Sequence, residues 1–170
     1  TPDGGLLVGG VTDSPVSSEV SHEPLGMSDV WIIKTNSQGI PQWDRRFGGS
    51  ERDTVHQIVP LENGNYLLVC SSQSNAGTGK TASKIGGHDV WLIEMDDQGN
   101  RVREWTFGGT KDERHPRIVH RHDGGWLLAC WSKSDVGGSR SVSRKGSDDI
   151  WVVALSDQFA IEWDQSYGGD

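Results

Sequence analysis

DVWLIEMDDQGNRVREWTFGG, residues 89–109, returns as DVWIIKTNSQGIPQWDRRFGG at 29–49 and as DIWVVALSDQFAIEWDQSYGG at 149–169, an offset of 60 residues without a gap. A repeat of that period decides the architecture before any single element is read. The offset extends upstream of these stretches: Gly4, Gly64 and Gly124 coincide, as do Leu7, Leu67 and Leu127, then Ser14, Ser74 and Ser134, then Gly26, Gly86 and Gly146. Within one unit, DVWLIEM (Asp89 to Met95) is a continuous apolar run of strand length, DDQG (Asp96 to Gly99) is a tight turn, and RVREWTF (Arg101 to Phe107) alternates. Upstream, TVHQIVP (Thr54 to Pro60) and YLLVC (Tyr66 to Cys70) flank the turn ENGN (Glu62 to Asn65), which predicts a hairpin. Helical periodicity is absent at length. Trp43 and Trp163 are equivalent, but the middle unit has Arg103 there and its indole at Trp105. A shift of two leaves a side chain on the same face of a strand and moves it round a helix, so this segment reads as strand.

Four short strands per unit, in series, predict an all-β protein built of β-propeller blades, each a four-stranded antiparallel meander. The segment GGSERD (Gly48 to Asp53) is the expected crossing from an outermost strand to the next innermost one. Blade one is then residues 1–49, with its inner strand missing, blade two 50–109 and blade three 110–170, together one partial propeller domain. Three blades do not close a ring, which points to part of a larger propeller of about six to eight blades, or to self-assembly. The rival architecture is a β-trefoil, which also has three four-stranded repeats and would close as a barrel.

Composition limits the function classes. The chain has 170 residues, 23 Gly, 8 Trp and a net charge of −8. No basic stripe exists to release counterions from phosphates, so no nucleic-acid partner is expected. No apolar run approaches the roughly 20 residues of a membrane span. The chain lacks an initiator Met and a signal-type leader, which reads as a processed chain or a piece of a longer one. Cys70 and Cys130 are equivalent residues of neighbouring units, too far apart to bridge, and are expected as buried free thiols.

The motifs DGG-x-L-L (Asp123 to Leu128), DVW (Asp89 to Trp91), DDQGN (Asp96 to Asn100) and W-x-x-x-[FY]-G-G (Trp43 to Gly49, Trp163 to Gly169) resemble the roughly 60-residue β-propeller repeats of secreted and surface proteins of Bacteroidota. They are also similar to the shorter delta-60 propeller repeat, which shares the DG turn and the final FG. The resemblance implies export to the extracellular space or the outer-membrane surface, and it supplies no catalytic motif. One departure is Phe159, which stands where the other units have Gly39 and Gly99 and argues against a positive φ at that turn.

In an antiparallel meander the long links fall on the same side as the crossings between units, so loops 12–28, 72–88 and 132–148 form one crown. Loop one is acidic, with Asp13, Glu19 and Glu23. Loops two and three carry Lys80, Lys84, Lys133, Arg140, Arg144 and Lys145 against Asp135 and Asp148. These cations are the candidate contacts to an anionic glycan, a lipid head group or an acidic protein surface, with Trp131 at the rim as a surface on which a sugar ring could stack; the alternative is a solvated, mobile loop. NAGTGKT (Asn75 to Thr81) is not a phosphate loop, because Ser74 occupies its first glycine position and no helix follows. His115, His120 and His122 do not share a strand face, and Asp96, Asp97 and Asn100 are too few for a calcium loop, so neither metal nor cofactor is expected. Asp29, Asp89 and Asp149 are read as accepting backbone N–H groups where the loop re-enters the sheet, and Trp31, Trp91 and Trp151 as filling the space between units. The resulting expectation is a non-enzymatic, extracytoplasmic binding or assembly scaffold. A glycan-active hydrolase or a carbohydrate-binding module is the alternative; hydrolysis needs a converging carboxylate pair, for which only Asp148 beside Asp149 stands out.

Overall fold

The computed structural model describes residues 1–169. Among them the chain forms strands only, in three separate antiparallel sheets, none of them closed. Sheet one is β1 (Leu7–Thr12), β2 (Asp29–Thr35) and β3 (Pro41–Phe47), in that order. Sheet two is β4 (Asp53–Pro60), β5 (Tyr66–Ser72), β6 (Asp89–Met95) and β7 (Arg101–Phe107). Sheet three repeats it with β8 (Glu113–His120), β9 (Trp126–Ser132), β10 (Asp149–Leu155) and β11 (Ile161–Tyr167). The closed barrel of the trefoil alternative is not what these residues form. Among the described residues no helix is long and apolar enough to cross a membrane.

The unit length is visible in the register as well as in the sequence. Trp31, Trp91 and Trp151 lie opposite Arg46, Thr106 and Ser166, and each pairing slips by one residue just before the turn, after Lys34, Glu94 and Ala154. At that turn Gly39 and Gly99 take φ values of 79° and 83°. Phe159 takes 61° there, so the glycine conformation is kept by a bulky residue, contrary to expectation. The compensation is tertiary: Phe159 is 5% exposed, stacks on Trp126 with centroids 5.7 Å apart and leans on Trp105 at 4.4 Å. Burying a phenyl ring against two indoles outweighs a left-handed backbone cost of order 1–3 kcal/mol.

Sheet two is covered on both faces, which is why β5 and β6 are buried at every position and read as unbroken apolar runs. Its leading face presents Leu68, Cys70, Trp91 and Ile93 to Val30, Ile32 and Phe47 of sheet one. Its trailing face presents Leu67, Val69, Val90 and Leu92 to Leu128, Cys130, Trp151 and Val153 of sheet three. The two seams therefore use residues equivalent at the 60-residue offset: Val30, Ile32 and Phe47 in the first stand where Val90, Leu92 and Phe107 stand in the second. Cys70 and Cys130 sit one in each seam as buried free thiols.

The crossings lock the seams at one end. Gly49 N–H donates to Asp53 Oδ2 (2.9 Å), Ser74 Oγ donates to the same oxygen (2.7 Å), and Glu51 N–H donates to Ser74 Oγ (3.0 Å). In the next crossing, Gly109 N–H donates to Glu113 Oε2 and Lys111 N–H to Ser134 Oγ, both at 2.8 Å. A Cβ at Gly49 or Gly109 would strike the side chain of Ser74 or Ser134, so glycine is required by close approach.

Candidate functional site

The three long loops run beside the GG segments that end β3, β7 and β11, and each is fastened by two carboxylates. The first is the expected Asp of DVW. Asp29 Oδ2 accepts from Leu25 N–H (2.9 Å), Asp89 Oδ2 from Ile85 N–H (2.7 Å) and Asp149 Oδ2 from Lys145 N–H (2.7 Å). Burial raises the Asp29 and Asp89 carboxyls above the ordinary value despite these donors. For Asp149 burial also opposes ionisation, but Ser166 Oγ, the Lys145 N–H and the Arg140 guanidinium together hold it below that value.

The second carboxylate was not singled out from the sequence. Asp44, Glu104 and Asp164 recur at the 60-residue offset and accept from the indole Nε1–H of Trp31 (2.8 Å), Trp91 (3.1 Å) and Trp151 (2.8 Å). The same carboxylates take the backbone N–H and hydroxyl of Ser21, Thr81 and Ser141, at mid-loop. Burial alone would raise all three, but the hydroxyl and N–H donors more than offset it, and all three stand below the ordinary value. The signal was present in the sequence as an acid repeated at one station. Its alternation between Asp and Glu, within strands otherwise read for their tryptophans, hid it.

Two expected contact residues are corrected by this circuit. Lys80 and Arg140 are 0% and 2% exposed and point inward. Lys80 Nζ donates to the Ser74 carbonyl (3.0 Å) and lies 5.7 Å from the Trp91 ring centroid. Arg140 donates to Ser132 Oγ (2.5 Å), Ser166 Oγ (2.7 Å) and Asp149 Oδ2 (3.4 Å), over Trp151 at 5.8 Å. Sheet one has Val20 at that loop position and delivers the cation from the strand instead: Arg46 donates to Asp29 Oδ2 (3.4 Å) and to the Ser14 carbonyl (2.7 Å). Sheets two and three have Thr106 and Ser166 at the strand position. One buried cation per unit thus serves the Asp of DVW, paired with it in sheets one and three and acting through charge alone in sheet two, and its attachment point has moved across the site. A loop charge in a hydrophilic stretch looks solvated; only the complementary Val20 and Arg46 show otherwise.

The exposed remainder of the predicted set is Lys84, Trp131, Lys133, Arg144 and Lys145. Arg144 Nε reaches Asp135 at 3.3 Å, Lys133 Nζ lies 3.9 Å from Asp148 Oδ1, and Lys145 Nζ is 6.0 Å from the Tyr167 ring centre. Trp131 is 60% exposed beside a recess of about 440 Å3, also lined by Arg114, His115, Lys133 and Asp148. His115 holds φ at 54° on a bulge of β8 and its ring touches both His56 (5.4 Å) and Trp131 (5.2 Å). Desolvation, with His115 and Arg117 nearby, depresses His56 to about 4. His115 and His120 do not converge, since His120 packs on Trp126, and no group suited to hold a metal occurs among the described residues. Nor do Asp148 and Asp149 form an acid pair: Asp148 is exposed at the rim and both Asp149 oxygens are occupied. Neither protein-family models nor curated proteins show a match to this chain.

Proposed function

We propose that the three sheets are successive blades of a β-propeller and that the chain is a non-enzymatic, extracytoplasmic scaffold whose loop crown contacts a partner protein or an anionic glycan. One observation carries this reading. Each loop is fastened to its sheet by the same pair of carboxylates, while Lys84, Lys133, Arg144 and Lys145 stay exposed on the fastened loops. Pre-ordered loops on a rigid sheet lose little entropy on binding. The recurring acids are consumed by this structural work, which speaks for binding over hydrolysis. The secreted or surface location follows from the resemblance of the DGG and DVW repeats.

Replacing Lys84, Lys133, Arg144 and Lys145 by Glu is expected to weaken binding to acidic polysaccharides at least about tenfold, with a shallower salt dependence, and to leave the unfolding free energy within about 2 kcal/mol of the parent, since each reversal is an exposed change. An array of acidic and neutral glycans, run beside a glycosidase panel, reads the outcome. Turnover of any glycan, or binding indifferent to the four charges, contradicts the reading. A carbohydrate-binding variant of it is favoured by Trp131, whose exposed indole borders a recess with polar groups on its other walls. In that case Trp131→Ala abolishes binding of neutral sugars and the charge reversals do not.

A further inference from the structure

The turn between β4 and β5 carries the chain's one Asn–Gly pair, Asn63–Gly64. The other asparagines precede Ser37, Tyr66, Ala76 and Arg101, whose side chains hinder attack on the amide by the next backbone nitrogen. Gly64 has a φ of 86°, and nothing lies within 4 Å of a Cβ built on it. Asn63 and Gly64 are exposed, but the acceptor that holds the Asn63 amide is not. Asn63 Nδ2 donates to Glu94 Oε1 (3.0 Å), and Glu94 is 1% exposed. Asn65 Nδ2 donates to the same oxygen (2.6 Å), and Arg103 donates to Oε2 from Nε (2.8 Å) and Nη2 (2.6 Å). Burial opposes ionisation of Glu94, but the Asn65, Asn63 and Arg103 donors hold its carboxyl below the ordinary value.

The 60-residue offset shows why a neutral amide stands at this turn. The stations of Asn63 and Glu94 hold Asp3 and Lys34 in the first unit, and Asp123 and Ala154 in the third. Asp3 pairs with Lys34 at 2.7 Å, while Asp123 accepts from Arg121 at 3.1 Å. Where the turn has a carboxylate, the strand has a cation or a methyl group; where the strand has Glu94, the turn has an amide. The turn also borders the second seam. Asn63, Glu94 and Arg103 line a recess of about 480 Å3 with Trp126 and Phe159, and Leu61, at the start of the turn, packs on the core of that seam.

We infer that Asn63 is a site of spontaneous deamidation gated by its bond to Glu94, and that the product sets two carboxylates together at the edge of the second seam. The backbone nitrogen of Gly64 gives its proton to solvent and attacks Asn63 Cγ. The new C–N bond closes a succinimide as the Cγ–Nδ2 bond breaks, and Nδ2 leaves as ammonia with a proton taken back from solvent. Water then opens the ring at either carbonyl, leaving aspartate or isoaspartate at position 63. In the closed turn both reacting groups are engaged, because Gly64 N–H donates to the Leu61 carbonyl (3.1 Å) and the amide donates to Glu94. The reaction therefore runs through local opening of the turn, and Glu94 sets how often that occurs. The product's charge repels Glu94 and replaces a hydrogen bond that held the turn to β6. Neither the crown nor its ligand enters.

The test is incubation of the intact chain at mildly alkaline pH, followed by peptide mass mapping with isoaspartate detection. Conversion is expected at Asn63 ahead of Asn36, Asn65, Asn75 and Asn100. Glu94→Ala, which gives β6 the residue of the third unit, is expected to raise the rate at Asn63 at least about fivefold. Urea below the unfolding transition of the parent is expected to raise it as well, and supplies the comparison if that variant folds poorly. Asn63→Asp is expected to lower the urea midpoint of the parent, less so in raised salt, and to leave the midpoint of Glu94→Ala unchanged. A rate at Asn63 no higher than at Asn36 or Asn75, a rate indifferent to both Glu94→Ala and urea, or an Asn63→Asp chain as stable as the parent overturns the inference.

Discussion

Lys80→Val is expected to destabilise the chain by about 3–5 kcal/mol, and Thr106→Arg in the same chain to restore it to within about 1 kcal/mol of the parent. The first change removes the buried charge that acts on Asp89 through space and leaves the Ser74 carbonyl without its donor, while Asp89 keeps only the Ile85 and Gly86 N–H groups. The second alone brings a guanidinium in beside the Lys80 ammonium and destabilises by repulsion and crowding. Together they rebuild the arrangement of sheet one, where Val20 and Arg46 occupy these stations and Arg46 reaches both Asp29 and the Ser14 carbonyl. Thr106 is suited to the exchange, since its Oγ1 is buried without a hydrogen-bond partner. Urea unfolding of the four chains measures the coupling directly. Additive losses would show that Lys80 and Thr106 do not share one site, and the assignment of one buried cation per unit would fail.

Glu104→Ala is expected to cost about 3 kcal/mol and to free the loop 72–88. Its carboxylate accepts from Ala82 N–H (2.7 Å), Thr81 N–H (2.6 Å), the Thr81 hydroxyl, Trp91 Nε1–H (3.1 Å) and Arg101 (3.0 Å), so truncation strands an indole N–H beside a buried ring and unties the loop at its middle. Hydrogen exchange at Thr81 and Ala82 should rise to loop-like rates while β5 and β6 stay protected. Acid should mimic the substitution. Burial opposes ionisation of Glu104, but the Thr81 and Ala82 donors win, and its carboxyl lies below the ordinary 4.5 in the fold. The stability it contributes is therefore complete above that value and is lost as pH falls through the folded value, so the gap between parent and Glu104→Ala closes under acid. A gap constant down to pH 3, or exchange at Thr81 unchanged by the substitution, would show that the loop is held by something else.

The sequence made the sheets legible because each unit states them redundantly. The span Asp89 to Met95 is the strand read from its apolar run, and Arg101 to Phe107 the strand read from its alternation. Asp29, Asp89 and Asp149 accept loop N–H groups as their position beside a re-entrant loop implied. Less legible were features decided by what lies across a seam. Phe159 keeps a glycine's φ because Trp105 and Trp126 hold its ring, a contact 33 or more residues away in sequence. Lys80 and Arg140 belong to the interior because a cation can reach the Asp of DVW from either of two attachment points. Asp44, Glu104 and Asp164 join loop to indole across 13 to 23 residues, and a reading by strand periodicity sees only their facing, not their partners.

The central claim is that equivalent units stack in an open series, each sheet burying a face of the next. A closed barrel of three repeats has no place for a fourth, whereas an open stack gains a sheet and a seam by the same contacts already present. The decisive measurement is urea unfolding of a chain in which residues 50–109 are duplicated in tandem. An open series predicts a folded, cooperative chain whose m-value rises by about a third with the added buried surface, and whose circular dichroism per residue is unchanged. A duplicated chain that is unfolded, or that carries the extra 60 residues as a disordered insertion with the m-value of the parent, would contradict it.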